Sequence, residues 1–500
     1  MKEVNRRNFL GGFGAAASCS LIGDPALCQD STAEPDCTHC RSIINPYQPG
    51  AVIAGAGGAS PRDVKINVKP VYYALIHSGV WEGPCRYTGG GPGPDVERAQ
   101  NRNAFDRWVA NFKKTLPPDA TMLDPVYYEF PEFVKITRAD LTQLEADKDQ
   151  VDLYVVRGTN LSQYLASVIG EIYKKPVNHR HRDNTAYLRS RGLEGYHASD
   201  YDGGFTELVS LLRARKAFQQ MKMLLITNIG IPGYPVTSAV RDFQDLKNRF
   251  GIGAVVISFQ ELSDERDRIL ADKDSMEAVQ GVTDALCRNA QAVHMDRKML
   301  MGDILVYQSV KNLMRKHDCN AFSIECFEWC GSRQPDRWKA NPCLTHSLNI
   351  DEGYPSACEG DLCALLAQSL LMAVAKRSAY IGNCNVTAQG RKRDWDTERW
   401  VDGADRQGEK LWVGHNVPGR KMLGFGGPEL PYEIRDFIAP KENAPGWGGS
   451  LKIDLTQIRE RTVTIGRFNP LATRVLVTKG EVIGMRGFDT RGCSFGAIMN

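Results

Sequence analysis

The chain has 500 residues, of which 42% are hydrophobic and 24% charged, with a formal net charge of +3. That length exceeds what one hydrophobic core can serve and predicts about two to four packed units. The near balance of charge excludes the concentrated basic excess of a nucleic-acid binder, and with no run of eighteen apolar residues no membrane span is expected in the mature chain.

At the amino terminus, "NRRNFLGGFGAAASCSLIG" sets Arg6 and Arg7 before Phe9 and Leu10 and then a mild run rich in Gly and Ala. This resembles a twin-arginine export signal, the plainer alternative being a basic tail. Residues 1–30 are therefore set aside as signal and linker start, and the expected destination is the periplasm or the exterior. Residues 20–65 are rich in Gly, Pro, Ser and Asp without periodicity and read as a linker. The fourteen Cys are not spaced like a small disulfide scaffold. Cys37 and Cys40 form a CxxC without a zinc-type partner pair, which reads as a local disulfide or free thiols. Cys326, Cys330, Cys343, Cys358, Cys363 and Cys384 stand mostly among apolar neighbours, where small-residue packing is the default.

From residue 65 onward, β-rich apolar runs alternate with amphipathic ones. "INVKPVYYALI" predicts a strand, "NAFDRWVANFKKTL" a helix, "VDLYVVRG" a strand and "LSQYLASVIGEIYKK" a helix. After the polar stretch 178–192 the pattern restarts with helix, strand, helix and strand through "IGAVVISF". A long helix in "MLMGDILVYQSVKNLMRKH" and a strand in "CNAFSIECF" come next. Such alternation predicts βαβ units and parallel sheets. The last hundred residues carry short alternating segments with Gly turns, which predicts an antiparallel barrel or sandwich. The expected architecture is thus α/β: two doubly wound domains in series, 65–175 and 176–330, then a metal-site and β-rich domain, 331–500. Ligands of open α/β sheets bind beyond the carboxyl ends of the strands, which marks "TNIGIPGYP" and "IECFEW". No P-loop is present, and no GxGxxG follows a strand.

The densest chemistry lies in "GYPSACEGDLCALLAQSLL", residues 353–371. Asp361 stands at the start of an apolar helix, where capping free backbone N–H groups is the ordinary role of a carboxylate. Glu359, two residues earlier in a Gly turn, is harder to account for, because crowded carboxylates repel unless a cation or proton lies between them. His415 in "LWVGHNVPG" follows a strand-like run, and Glu325 and Glu328 end the strand in "FSIECFEWC". Taken singly, each is an ordinary polar residue at a strand end. Together, two or three carboxylates and a His make oxygen and nitrogen donors suited to Mn²⁺ or Mg²⁺ more than Zn²⁺. Trp395, Trp400, Trp412 and Trp447 flank the His415 loop and are either core or a stacking face for a sugar. The run "RKRDWDTERW" reads as a solvated loop over the cleft.

"NPCLTHSLNIDEGYPSACEGDLCALLAQSLL", then "AYIGN", then "GHNVPG", resembles the carboxyl-terminal half of the L-fucose and L-arabinose isomerase superfamily, closest to its fucose-isomerase-like branch. The resemblance covers residues 320–420 and is architectural elsewhere. It implies Mn²⁺ or another divalent cation held by Glu325, Asp361 and His415, with Glu325, Glu328 and Asp361 as candidates for moving protons. Either Glu325 or Glu328 can be laid on the family's key position. Glu359, Asn383, Asn416 and Trp412 are then expected near the substrate. The implied reaction is aldose–ketose exchange on a free sugar through an enediol, and the implied assembly is a homo-oligomer. The alternative is an exported carbohydrate-binding protein, or a different carbohydrate-active protein, on the same fold.

Overall fold

The computed structural model describes residues 49–500 apart from 81–91, 132–133, 160, 200–202, 230–239, 241, 387–390, 395–398, 403–409 and 490–491. The twin-arginine segment, Cys37 and Cys40 and most of "TNIGIPGYP" therefore lie outside the described residues, as do the side chains of Trp395 and Trp400. The architecture is mixed α/β, with parallel sheets and an antiparallel sheet toward the carboxyl end. Two compact units are distinguished. Among the described residues the first holds Val64–Lys216 and the second holds everything else. Strand β1, Val52–Ile53, belongs to the second unit.

The first unit is built on β2 (Ile66–Ile76), β3 (Ala120–Met122), β4 (Val126–Pro131), β5 (Leu153–Gly158), β6 (Val177–His179) and β7 (Gly195–Tyr196). They run parallel in the order β3-β2-β5-β6-β7, with β4 also on β2. Strand β2 is apolar almost throughout because helices cover both faces of the sheet. Val71 and Tyr73 join Tyr154, Val156 and Leu165 on one side. Ile66 and Val68 join Leu153, Val155 and Leu212 on the other. The period-two alternation of β-structure produces this division. The helix Pro94–Thr115 starts with Pro and the acids Asp95 and Glu97 and ends with Lys113 and Lys114, matching its dipole.

In the second unit β8 (Lys222–Ile226), β9 (Gly253–Ile257), β11 (Ala321–Ile324) and β12 (Ser356–Ala357) are parallel, in the order β9-β8-β11-β12, with β1 antiparallel on the β9 edge. Two helices pack against β12. Cys343–Asp351 is buried at all its positions. Leu362–Ala375 is apolar on nearly every side, the pattern of a helix with no solvent face.

Strands β10 (Ala292–Val293), β17 (Glu433–Ile438) and β18 (Trp447–Lys452) form a small sheet, and β14 (Arg391–Asp394) pairs with β15 (Arg399–Asp402). The run "RKRDWDTERW" thus carries two paired strands where a loop was expected. The antiparallel sheet has the order β13-β16-β21-β20-β19, with β13 Asn383–Val386, β16 Leu411–Gly414, β19 Thr462–Phe468, β20 Val475–Arg486 and β21 Gly496–Met499. A register shift between Val482 and Gly484 interrupts the pairing of β20 with β21. Among the described residues, no helix is long and apolar enough to cross a membrane.

Candidate functional site

The carboxyl ends of the second unit's parallel strands are stitched together sideways. Beyond β8, Thr227 N–H donates to Ile257 O at 3.0 Å. Beyond β11, Glu325 N–H donates to Ile226 O at 3.0 Å, and Gly360 N–H, beyond β12, donates to Ile324 O at 3.0 Å. Glu325 and the Glu359 turn therefore leave adjacent strands side by side. Glu325 is the first residue after β11 and is 1% exposed.

Glu359 reverses the chain in left-handed backbone, with φ 65°, and Gly360 follows at φ 60°. A non-glycine residue in that region is uncommon and costs energy. The turn brings the Glu359 Oε1 to 3.1 Å from the His415 Nε2, and Asn383 Nδ2 donates to the same oxygen at 3.1 Å. Glu359 is 5% exposed and His415 2%. Burial pushes the Glu359 carboxyl up, but His415, Asn383 and the more distant Arg467 outweigh it and hold the group below its ordinary value. The His415 backbone is fixed by Tyr380, whose hydroxyl accepts from His415 N–H at 2.7 Å and donates to His415 O at 2.5 Å. The remaining ring nitrogen, Nδ1, is buried and has no hydrogen-bond partner.

Asp361 does what a residue before an apolar helix ordinarily does. Its Oδ1 accepts from Ala364 N–H at 3.0 Å, and its Oδ2 pairs with Arg467 Nη1 at 2.6 Å. Glu328 lies elsewhere. It accepts from Thr227 Oγ1 at 2.8 Å and from Asn228 N–H at 2.9 Å, clamping the end of β8. Asn416 is buried, accepting from Lys452 Nζ at 2.8 Å and donating to Gly492 O. Trp412 and Trp447 are both buried. The structure thus brings Glu359, Asn383 and His415 into contact and sets Glu325 on the neighbouring strand end.

Two buried residues escaped sequence reasoning. His346, on the wholly buried helix, places Nδ1 2.8 Å from Ser356 Oγ, while its Nε2 has no hydrogen-bond partner. Burial, aided by the charge of His415, pushes it down to about 3, so it is neutral. Its presence in "LTHSLN", shortly before the dense stretch 353–371, was the available signal. Lys452 ends β18 among apolar residues, and its Nζ stands 4.8 Å from the Phe495 ring centroid. Burial pushes its ammonium down to about 8.

Among the described residues, no three His, Cys, Asp or Glu side chains are grouped to hold a metal ion. Glu359 and His415 nevertheless offer a carboxylate and an imidazole in contact, donors that suit a divalent cation as two of its ligands. Both Asp361 oxygens already hold partners. An open groove of about 830 Å³ lies among the helices that carry Glu261, Arg268, Asn312 and Lys316; it is lined by ion pairs and includes none of these strand-end residues. Compared with known proteins, the chain matches no family model and no curated protein.

Proposed function

We propose that the chain is a divalent-cation-dependent aldose–ketose isomerase acting on a free sugar. The observation that carries the reading is the buried Glu359–His415 contact at the carboxyl edge of a parallel sheet, beside Glu325. Glu359 and His415 would supply two ligands to a bound Mn²⁺ or similar cation, which would supply Lewis-acid stabilisation for charge developing on the sugar oxygens. In this assignment Glu359 takes the place expected for Asp361, because Glu359 is the carboxylate that faces His415.

The chain's own groups have distinct tasks. Glu325 takes the proton from the hydroxyl-bearing carbon beside the carbonyl and returns it to the former carbonyl carbon, while the hydroxyl proton passes to the former carbonyl oxygen, through the enediol. Glu359, held ionised, fixes the imidazole of His415 and keeps negative charge in the pocket. Asn383 orients Glu359 through its amide. Burial of Glu325, Glu359 and His415 excludes water from them, which strengthens each electrostatic contact. The same reading takes the chain as two doubly wound α/β domains followed by a β-rich domain, exported by the twin-arginine route and assembled as a homo-oligomer.

The test is deuterium incorporation at the transferred position when pentoses and deoxyhexoses are incubated with the protein and Mn²⁺ in deuterated water. We expect incorporation with at least one sugar, lowered by about 10²–10⁴-fold in Glu325→Gln. The engagement of Asp361 by Arg467 favours a second reading, a carbohydrate-binding protein on this fold. Sugar binding without exchange in any of these sugars would select it.

A further inference from the structure

The carboxyl edge of the first unit's sheet carries a second group of polar side chains, most of it supplied by the start of the stretch 178–192. From β2 the chain builds β3 and β4 on one side and β5, β6 and β7 on the other. The order therefore reverses between β2 and β5, and ligands of open α/β sheets bind outside the carboxyl ends of the strands near such a reversal. Thr159 closes the seam between β2 and β5. Its N–H donates to Tyr73 O at 3.0 Å, and its hydroxyl accepts from Leu75 N–H at 3.1 Å.

Beside that seam, the ends of β5, β6 and β7 are interlocked by basic residues. Arg157 Nη1, on β5, donates to Val156 O at 2.9 Å and to Asn178 O of β6 at 3.4 Å. Arg180 Nη2, just after β6, donates back to Gly158 O of β5 at 3.3 Å. His197 Nδ1, just after β7, lies 3.2 Å from His179 O. His181 N–H donates to His179 Nδ1 at 3.1 Å, and the two rings stack with centroids 5.3 Å apart. With Nδ1 accepting, the His179 proton stands on Nε2, 3.0 Å from Ser162 Oγ. Burial, then the charges of Arg157, His181, Arg180 and His197, push His179 down to about 3, so it is a neutral anchor for the cluster. Arg180, His181 and His197 are exposed. Among the described residues, none of these three is paired with a carboxylate; Arg180 and His197 direct their hydrogen bonds to carbonyl oxygens. Like charges held this close repel one another, and an anion placed among them relieves the repulsion.

We propose that Arg157, Arg180, His181 and His197 bind the phosphate group of a small phosphate monoester. Guanidinium and imidazole groups that come from three strand ends approach from several directions. They match the oxygens of a tetrahedral dianion, whereas a flat carboxylate is served by a single guanidinium fork. His179 and Ser162 act behind the ligand, fixing the turn that carries Arg180 and His181. The site is drawn wholly from the first unit and does not depend on whether the second unit isomerises sugars.

The test is isothermal titration of chelator-treated full chain at low ionic strength with inorganic phosphate and, separately, with methyl phosphate. Removing metal prevents a cation bound elsewhere from capturing the anion. We expect one equivalent of each to bind saturably. Affinity should fall about 10–100-fold in Arg180→Gln, the loss of one charge-assisted contact, and recover in part in Arg180→Lys. Hydrogen exchange in the wild type should slow at 178–182 and 195–197 when methyl phosphate is added. No saturable uptake, inorganic phosphate bound while methyl phosphate is refused, or acetate bound as tightly as phosphate would overturn the proposal. So would an affinity unchanged in Arg180→Gln, or exchange slowed only outside those two segments. The wild-type exchange map decides the matter even if an Arg180 variant fails to fold.

Discussion

Glu359 holds left-handed backbone at φ 65° for the sake of its contact with His415, and glycine would adopt that conformation without the Cβ penalty. Glu359→Gly is therefore expected to be roughly 1 kcal/mol more stable than Glu359→Ala, measured by denaturant unfolding, although both lose the carboxylate. A second residue-scale expectation concerns Lys452. Its folded value of about 8 lies below the unfolded 10.5, so between those two values the unfolded chain binds a proton that the folded chain does not. Stability attributable to this group therefore rises with pH across that window, and below about 8 the full penalty of a buried ammonium is present, roughly 3 kcal/mol. Lys452→Met should flatten the rise in a pH series of unfolding curves; an unchanged slope would show that the amine titrates normally. At this scale the sequence was partly legible. Glu359, Asn383 and His415 stood out in their motifs as polar residues at strand ends. Sequence spacing carries no information on which carboxylate of a Glu-Gly-Asp turn faces inward. That depends on the two left-handed residues that swing Glu359 toward His415 and leave Asp361 to cap the helix.

Among elements, the helix Leu362–Ala375 and strand β2 were readable almost to the residue, since each is a predominantly apolar run bounded by polar or turn residues. The helix cap is separable by substitution. Asp361→Asn keeps an acceptor for Ala364 N–H but loses the charge facing Arg467, whereas Asp361→Ala loses both, so Ala should cost about 1 kcal/mol more in thermal unfolding. Strand β21 lies between β16 and β20, pairing antiparallel with both. Its position depends on close approach, because a Cβ on Gly496 would meet the backbone of Val413 and Gly414. Gly496→Ala is expected to destabilise by about 1–3 kcal/mol, and a neutral substitution would mean that β16 can yield. The polar stretch 178–192, where the sequence pattern restarts, carries β6 and the helix Arg182–Ser190, because backbone pairing with β5 tolerates polar side chains. Hydrophobic periodicity alone does not register such pairing.

Across the whole molecule, the described residues divide into two compact units. Each unit has its own buried cluster, so a large-to-small change in one should act on that unit first. Leu165→Ala, in the core of the first unit, is expected to cost about 2–5 kcal/mol and to shift only one component of a calorimetric unfolding trace. The order of parallel sheets before an antiparallel one was legible from the change in pattern near residue 400. The site's composition was not, because Glu359, just beyond β12, meets Asn383 of β13 and His415, just beyond β16, across long stretches of chain. The central claim, that Glu359 and His415 form the heart of a cation site, is tested most directly by isothermal titration of chelator-treated protein with Mn²⁺. The account predicts near-stoichiometric binding by the wild type, abolished in Glu359→Ala and in His415→Ala but retained in Glu328→Gln. Binding that survives both alanine variants, or a wild type that takes up no Mn²⁺, would contradict it.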